Sequence, residues 1–250
     1  MSNQLNVPKA RQQSSPYLTE SELRPTGRAA RPRDSATLIL VRRDKAEAQI
    51  LMGKRSAEHA FMPNKFVFPG GKVDPADARI KPPCDLHPDV LARLMLGCSR
   101  SRARALAMAA VRETFEETGI TIGEHGAKPL KTRSRAWRAF LEQGMNPRLD
   151  TLHFIARAIT PAYRNRRFDS RFFMADADPL ILSNHRPVLA SGELLEIHWV
   201  TLDQARQLEL PRITRVILDE VERRILLGHQ YSEPGPFVFF RRGKAIREHQ

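Results

Sequence analysis

Three carboxylates stand at i, i+3 and i+4 in the segment Arg112-Glu113-Thr114-Phe115-Glu116-Glu117-Thr118-Gly119-Ile120. On a helix of 3.6 residues per turn, Glu113, Glu116 and Glu117 share one face. Like charges at that spacing repel, so a purely structural helix tends to avoid them. A divalent cation removes the cost, because hard ions such as Mg²⁺ or Mn²⁺ take oxygen ligands. Arg112 lies four residues before Glu116, close enough to pair with it across one turn. Upstream sits Phe68-Pro69-Gly70-Gly71-Lys72. Its two glycines offer backbone that can approach a metal or a phosphate closely, and Lys72 offers a cation for a phosphate oxygen.

The elements that must hold these residues can be read from periodicity. Arg102 to Thr118 predicts a helix, with Met108, Val111 and Phe115 as its apolar stripe and Gly119 as its stop. Thr37 to Val41 and Ala48 to Met52 predict two strands joined through Asp44 to Glu47. Lys65 to Phe68 predicts a third, ended by Pro69-Gly70-Gly71. Further strands are expected at Thr151 to Ala158, Arg171 to Met174 and Leu194 to Val200. Helices are expected near Leu202 to Leu208 and Ile213 to Leu227, and Pro234 to Phe240 reads as a last strand or an extended tail. Strands with helices both between and after them indicate a mixed α/β layered domain.

Residues 1–34 lack periodicity and are rich in Ser, Pro, Gln and Arg, so they read as a flexible basic tail. Residues 35–230 form the expected domain, and 231–250 a C-terminal extension. No run of apolar residues is long enough to span a membrane, and no secretory leader is evident. Two cysteines, Cys84 and Cys98, argue against a disulfide framework and fit a reducing, cytoplasmic setting. Cys84, His87 and Cys98 lack a fourth ligand at a regular spacing and do not make a zinc set. The net charge of +13 favours phosphate-bearing partners, either a nucleic acid or a small polyphosphate. The basic residues are scattered rather than interleaved with aromatics, which favours the small molecule.

Taken together, Gly71-x5-Asp77 and Arg112-Glu113-x-x-Glu116-Glu117-x-Gly119-Ile120 resemble the Nudix box, Gly-x5-Glu-x7-Arg-Glu-U-x-Glu-Glu-x-Gly-U, where U is bulky and aliphatic. Two positions depart from it: Asp77 replaces a Glu, and Thr114 replaces an aliphatic residue. The spacing departs too. The family places Arg 14 residues after Gly, whereas Gly71 and Arg112 are 41 apart, an insertion of about 27 residues at roughly 78–104. Loop closure grows costlier only slowly with length, so these residues can bulge out as a surface loop while the two halves still meet; alternatively they shape the substrate entrance or cover an apolar patch.

The resemblance implies an α/β/α sandwich with a mixed central sheet. It implies metal ligation by the Gly70 carbonyl with Glu113, Glu116 and Glu117, and hydrolysis of a diphosphate linked to another group, with Mg²⁺ or Mn²⁺ as cofactor. Arg112 would steady Glu116, Lys72 would face a phosphate, and a general base would come from the box or from Glu193 or Glu196. The split box, the segment Ile159-Thr160-Pro161 with Arg166 to Phe173, and Leu210-Pro211-x-Ile213-Thr214-Arg215 are similar to bacterial relatives of the animal peroxisomal Nudix group that cleaves coenzyme A and its esters. That implies coenzyme A or acyl-coenzyme A as substrate, with Arg166, Arg167 and Arg171 on its phosphates; the competing reading of these arginines is pairing with Asp169 to brace a strand. Two other readings stay open. One is a pyrophosphatase of ADP-ribose or dinucleotides, and the other is a nucleotide- or RNA-binding domain without catalysis. Many Nudix proteins are homodimers, and nothing in the sequence forces or forbids that.

Overall fold

Apolar runs fully buried on both faces build the centre of this molecule. β1 (Arg33–Arg42) places Ala36, Leu38 and Leu40 into one core and Ile39 and Val41 into another. Both faces are covered, so the strand reads as a continuous apolar run rather than an alternating one. The computed structural model describes residues 30–58, 63–126, 130–164, 166–177, 193–226, 235–241 and 244–249. Most of the expected basic tail lies outside them.

Nine strands join one mixed sheet among these residues. Along it run β11 (Lys244–His249), β10 (Pro236–Arg241), β7 (His153–Ile159), β8 (Phe168–Asp176), β1, β2 (Gln49–Arg55) and β3 (Phe66–Val67). β1 runs parallel to β8 from Arg33↔Phe168 to Val41↔Asp176. Its other edge is divided. β2 pairs at Val41↔Ile50 and Arg42↔Gln49, while β4 (Gly70–Lys72) pairs at Ser35↔Lys72, Ala36↔Gly71 and Thr37↔Gly70. That division admits the two glycines to the middle of the sheet. β9 (Leu194–Thr201) pairs antiparallel with β2. A separate two-stranded ribbon joins β5 (Gly123–His125) to β6 (Met145–Pro147).

Helices cover both faces. On one lie α1 (Pro88–Met95), α2 (Arg100–Thr118) and α3 (Arg135–Leu141). On the other, α5 (Arg212–Leu226) presents Ile217, Leu218 and Val221 to the second core, next to Ala205 of α4 (Leu202–Gln207). This is the expected α/β/α sandwich. Ser99 caps α2, its side chain accepting from the Arg102 amide at 3.3 Å. Gly119 ends the helix in the left-handed conformation at φ 74°. Between these caps α2 is buried from Ala105 through Val111. Its alanines let the sheet, α1 and α3 all approach it closely. Thr114, which departs from the aliphatic pattern, is buried with its hydroxyl bonded back to the Ala110 carbonyl at 2.8 Å.

The stretch 78–104 does not bulge outward as a surface loop. Leu86, Val90, Leu91 and Leu94 are buried in the core beneath α2. Arg93 of α1 donates to the Phe154 carbonyl of β7 at 2.7 Å and lies over that ring at 5.4 Å. The apolar spacing within α1 could not stay in water, so this segment became part of the layer. The last residues, expected as an extension, supply β10 and β11, and β10 joins the main sheet beside β7.

Candidate functional site

The glycine turn and the acidic helix meet as the residue pattern requires. The Gly70 amide donates to Glu117 Oε2 at 2.9 Å. A Cβ on Gly71 would lie 2.5 Å from the Glu113 carboxylate, so only glycine lets that carboxylate rest against the strand. A Cβ on Gly70 would instead strike the Ala36 carbonyl of β1, also at 2.5 Å. The two glycines therefore differ. Gly70→Ala collides with backbone and should destabilise the fold. Gly71→Ala meets the end of a flexible side chain, so the fold should survive while Glu113 moves. Thermal melts of Gly71→Ala should shift by only a few degrees, and its Mn²⁺ affinity should fall by roughly 10- to 100-fold. Unchanged metal affinity would show that Glu113 has no role in ligation.

Arg112 organises the polar face of α2 from inside it. Its guanidinium is buried and donates to Asp77 at 2.8 Å and 3.0 Å, to Glu113 at 2.9 Å, to Glu116, and to the Lys72 carbonyl at 2.8 Å. Burial disfavours this charge, but the Asp77 bonds and the neighbouring carboxylates outweigh it and hold the group above the usual arginine range. Asp77 and Arg112 thus join the segment after Gly71 to the acidic helix.

The carboxylates are short of positive charge. Burial pushes Glu113 up to about 7, against the pull of Arg112 and with the push of Glu116. It pushes Glu117 up to about 8, against the Gly70 amide bond and with the push of Glu113. Between about pH 4.5 and 8 the folded chain therefore holds protons that the unfolded chain releases, and stability drains away as pH rises through about 7 to 8. The urea midpoint of the metal-free chain should fall between about pH 6 and 9, and excess Mg²⁺ should restore most of the loss at the alkaline end. A midpoint that stays flat across that range would contradict this electrostatic picture.

Among the described residues, no three His, Cys, Asp or Glu side chains converge closely enough to hold a cation as they stand. One Arg112 nitrogen bonds both Glu113 and Glu116, while Glu117 is bonded to the Gly70 amide instead. The donor set nonetheless fits a hard divalent ion. It is entirely oxygen, it includes two carboxylates with raised proton affinity, and Gly71 lets one of them lie against β4.

Several expected residues fall elsewhere. Glu196 pairs with Lys54 at 3.0 Å. The register Met52↔His198 puts His198, and with it Glu196, on the Met52 face, which belongs to the core under α5 rather than to the face that α2 covers. Glu193 is the acid from this strand region that acts on Glu113 and Glu117. Arg171, expected on a substrate phosphate, is buried and bonded to Asp169 at 2.6 Å. Arg157 holds Asp169 from its other side with two bonds of 2.9 Å, so these charges brace β7 against β8. Arg167 donates to the Thr160 and Ala30 carbonyls and ties chain segments together. Arg166 is exposed, as is the Lys72 side chain, which borders a surface groove with Arg33 and Asp74. Cys84, His87 and Cys98 make separate contacts: Cys84 to Glu124, His87 as the α1 cap, and Cys98 to the Leu94 carbonyl.

Two residues at the site escaped sequence reasoning. Arg55, at the end of β2, is half-buried beside Glu117, Glu193 and Glu113; desolvation pushes it below its ordinary value while those acids oppose the shift. Trp137 of α3 donates its indole N–H to Asp77 at 2.8 Å. A basic residue closing an apolar strand was the available signal for Arg55. Nothing local marked Trp137.

No protein-family model matches the chain. It is 29% identical over 180 residues to the Caenorhabditis elegans protein named putative nudix hydrolase 7, covering 67% of this chain. The match covers 51% of that relative, so this chain spans about half the length of the curated protein it resembles. Among solved structures, a NUDIX hydrolase from Alicyclobacillus acidocaldarius superposes with a TM-score of 0.55 at 28% identity, over 76% of this chain and 90% of that one.

Proposed function

We propose that this chain, Nudix in fold and similar in sequence to Nudix hydrolases, is a metal-dependent diphosphatase that cleaves a nucleoside diphosphate linked to another group. The observation that carries this reading is Glu117 bonded to the Gly70 amide and Glu113 seated against Gly71, with Glu116 held beside Glu113 by Arg112. A bound Mg²⁺ or Mn²⁺ supplies neutralisation of the diphosphate and acidifies water. Glu113, Glu116, Glu117 and the Gly70 carbonyl would hold it.

The chain's own groups do the rest. Arg112 positions Glu113 and Glu116. Glu193 or one of the ligating glutamates would take the proton of an attacking water, and the raised proton affinity of Glu113 and Glu117 suits that task near neutral pH. Arg55 is a half-buried cation beside these acids and suits a phosphate oxygen. Within the reading, coenzyme A or its esters is the favoured substrate, supported by the motifs of residues 159–173 and 210–215. Of Arg166, Arg167 and Arg171, Arg166 keeps an exposed side chain for its phosphates.

A substrate panel with Mg²⁺ and Mn²⁺, scored by product identity, tests this. It should hold coenzyme A, acyl-coenzyme A, ADP-ribose, NADH, dinucleoside polyphosphates and capped RNA. Release of 3′,5′-ADP from coenzyme A is expected. Cleavage of ADP-ribose or a dinucleotide alone would overturn the substrate, and cleavage of nothing would overturn the enzyme.

A further inference from the structure

We infer that Trp137 is a positioning residue for the carboxylate site, acting through Asp77 on Arg112. This rests on the diphosphatase reading for its functional meaning and on hydrogen bonds for its geometry. Asp77 Oδ1 receives both the Trp137 indole at 2.8 Å and Arg112 Nε at 2.8 Å, and Oδ2 receives Arg112 Nη2 at 3.0 Å. All three residues are buried, with Trp137 and Asp77 at 0% and 1% exposure. Asp77 also accepts from the Asp74 amide at 2.8 Å, so its carboxylate is fixed from three directions. The far end of the same guanidinium holds Glu113 and Glu116. A rotation of Asp77 would therefore reach both carboxylates through one rigid fork.

The position of the indole is itself determined by α2. Phe115 of α2 meets Phe140 edge-on at 5.3 Å, and Phe140 meets Trp137 edge-on at 5.3 Å. The apolar stripe of the helix thus seats α3, and α3 returns a donor to the acid that steadies the polar face of the helix. The pattern Gly-x5-Glu carries a side chain one methylene longer at this position. An aspartate reaches less far, and the indole both fills the space and supplies a directional bond to the shorter acid. Trp137 and Asp77 form one unit in this account: a glutamate at 77 fits only when the indole is made smaller.

The test compares Trp137→Phe, Asp77→Glu and the double variant, reading Mn²⁺ binding by electron paramagnetic resonance and stability by urea unfolding. Trp137→Phe keeps an aromatic ring for packing but removes the donor. Its Mn²⁺ affinity should fall about threefold to tenfold, with circular dichroism unchanged. Asp77→Glu alone should be destabilised by overpacking, and the double variant should regain both stability and Mn²⁺ affinity. Parent-like affinity in Trp137→Phe, or no recovery in the double variant, would overturn the inference. If the parent itself bound no Mn²⁺, the diphosphatase reading would fail separately. The link would then be decided by unfolding of Trp137→Phe, Arg112→Lys and their combination: coupled effects sustain it, and additive effects sink it.

Discussion

Replacing Glu117 by Gln should cut turnover by on the order of 10³-fold, about 4 kcal/mol of lost transition-state stabilisation at 1.36 kcal/mol per decade. Glu117 is buried, and its Oε2 already accepts the Gly70 amide. The amide oxygen of Gln can accept that same bond, so β4 should stay in place. What is lost is the negative charge, which a divalent cation requires. Removing a buried carboxylate whose protonation is pushed up to about 8 also relieves unfavourable electrostatics in the metal-free chain. The variant should therefore unfold at a urea concentration close to the parent's, and its stability should lose part of its pH dependence. Turnover within tenfold of the parent, with Mn²⁺ binding intact, would remove Glu117 from the metal site. Loss of turnover accompanied by unfolding would show a structural role instead.

Arg112→Ala should produce the largest loss of stability of any single change at this site. Its guanidinium bonds three carboxylates and one carbonyl, and it lies 5% exposed. Removing one member of a buried ion pair costs about 3–5 kcal/mol, because the remaining charge is stranded away from water. In a chain of this size each kcal/mol moves the melting temperature by about 2–4 °C, so a drop of roughly 6–20 °C is expected. Arg112→Lys should fall between, since an ammonium keeps the charge but cannot fork onto Asp77 while reaching Glu113 and Glu116. A melting temperature for Arg112→Ala within about 2 °C of the parent would show that the Asp77 pair contributes little to holding the split motif together.

Local patterns revealed much of this molecule before its fold was seen. The strand through Thr37 to Val41 and the helix ending at Gly119 were readable because their signals lie within a few residues. β4 was not, since Gly70 to Lys72 has no side-chain periodicity and becomes a strand only because β1 leaves half an edge open. α3 has only seven residues, and its existence depends on Phe115 and the β5–β6 ribbon nearby. Residues 78–104 were legible as an interruption, whereas their burial depends on the apolar surface that α2 offers to Val90, Leu91 and Leu94.

The arginines and strand acids show the same division. Arg166, Arg167 and Arg171 look alike in sequence, but alternation along β8 and the presence of Asp169 consign Arg171 to the interior. Glu196 lies on β9 and Glu193 just before it, and the register of β9 with β2 shifts between Gly53 and Arg55. Glu193 is the acid whose charge acts on Glu113 and Glu117, which residue types alone do not reveal.

The sequence by itself determined the chemistry of the helix: three carboxylates on one face, an arginine one turn away, and a glycine pair able to lie against them. Helical geometry is set by hydrogen bonds four residues apart, so that arrangement needs no tertiary information. Only the tertiary structure decided that Asp77 would meet Arg112 across the 35 residues that separate them, that Trp137 would complete that contact, and that Glu193 rather than Glu196 would act on Glu117. Those outcomes depend on strand register and on which surfaces exclude water, both of which are properties of the assembled layers.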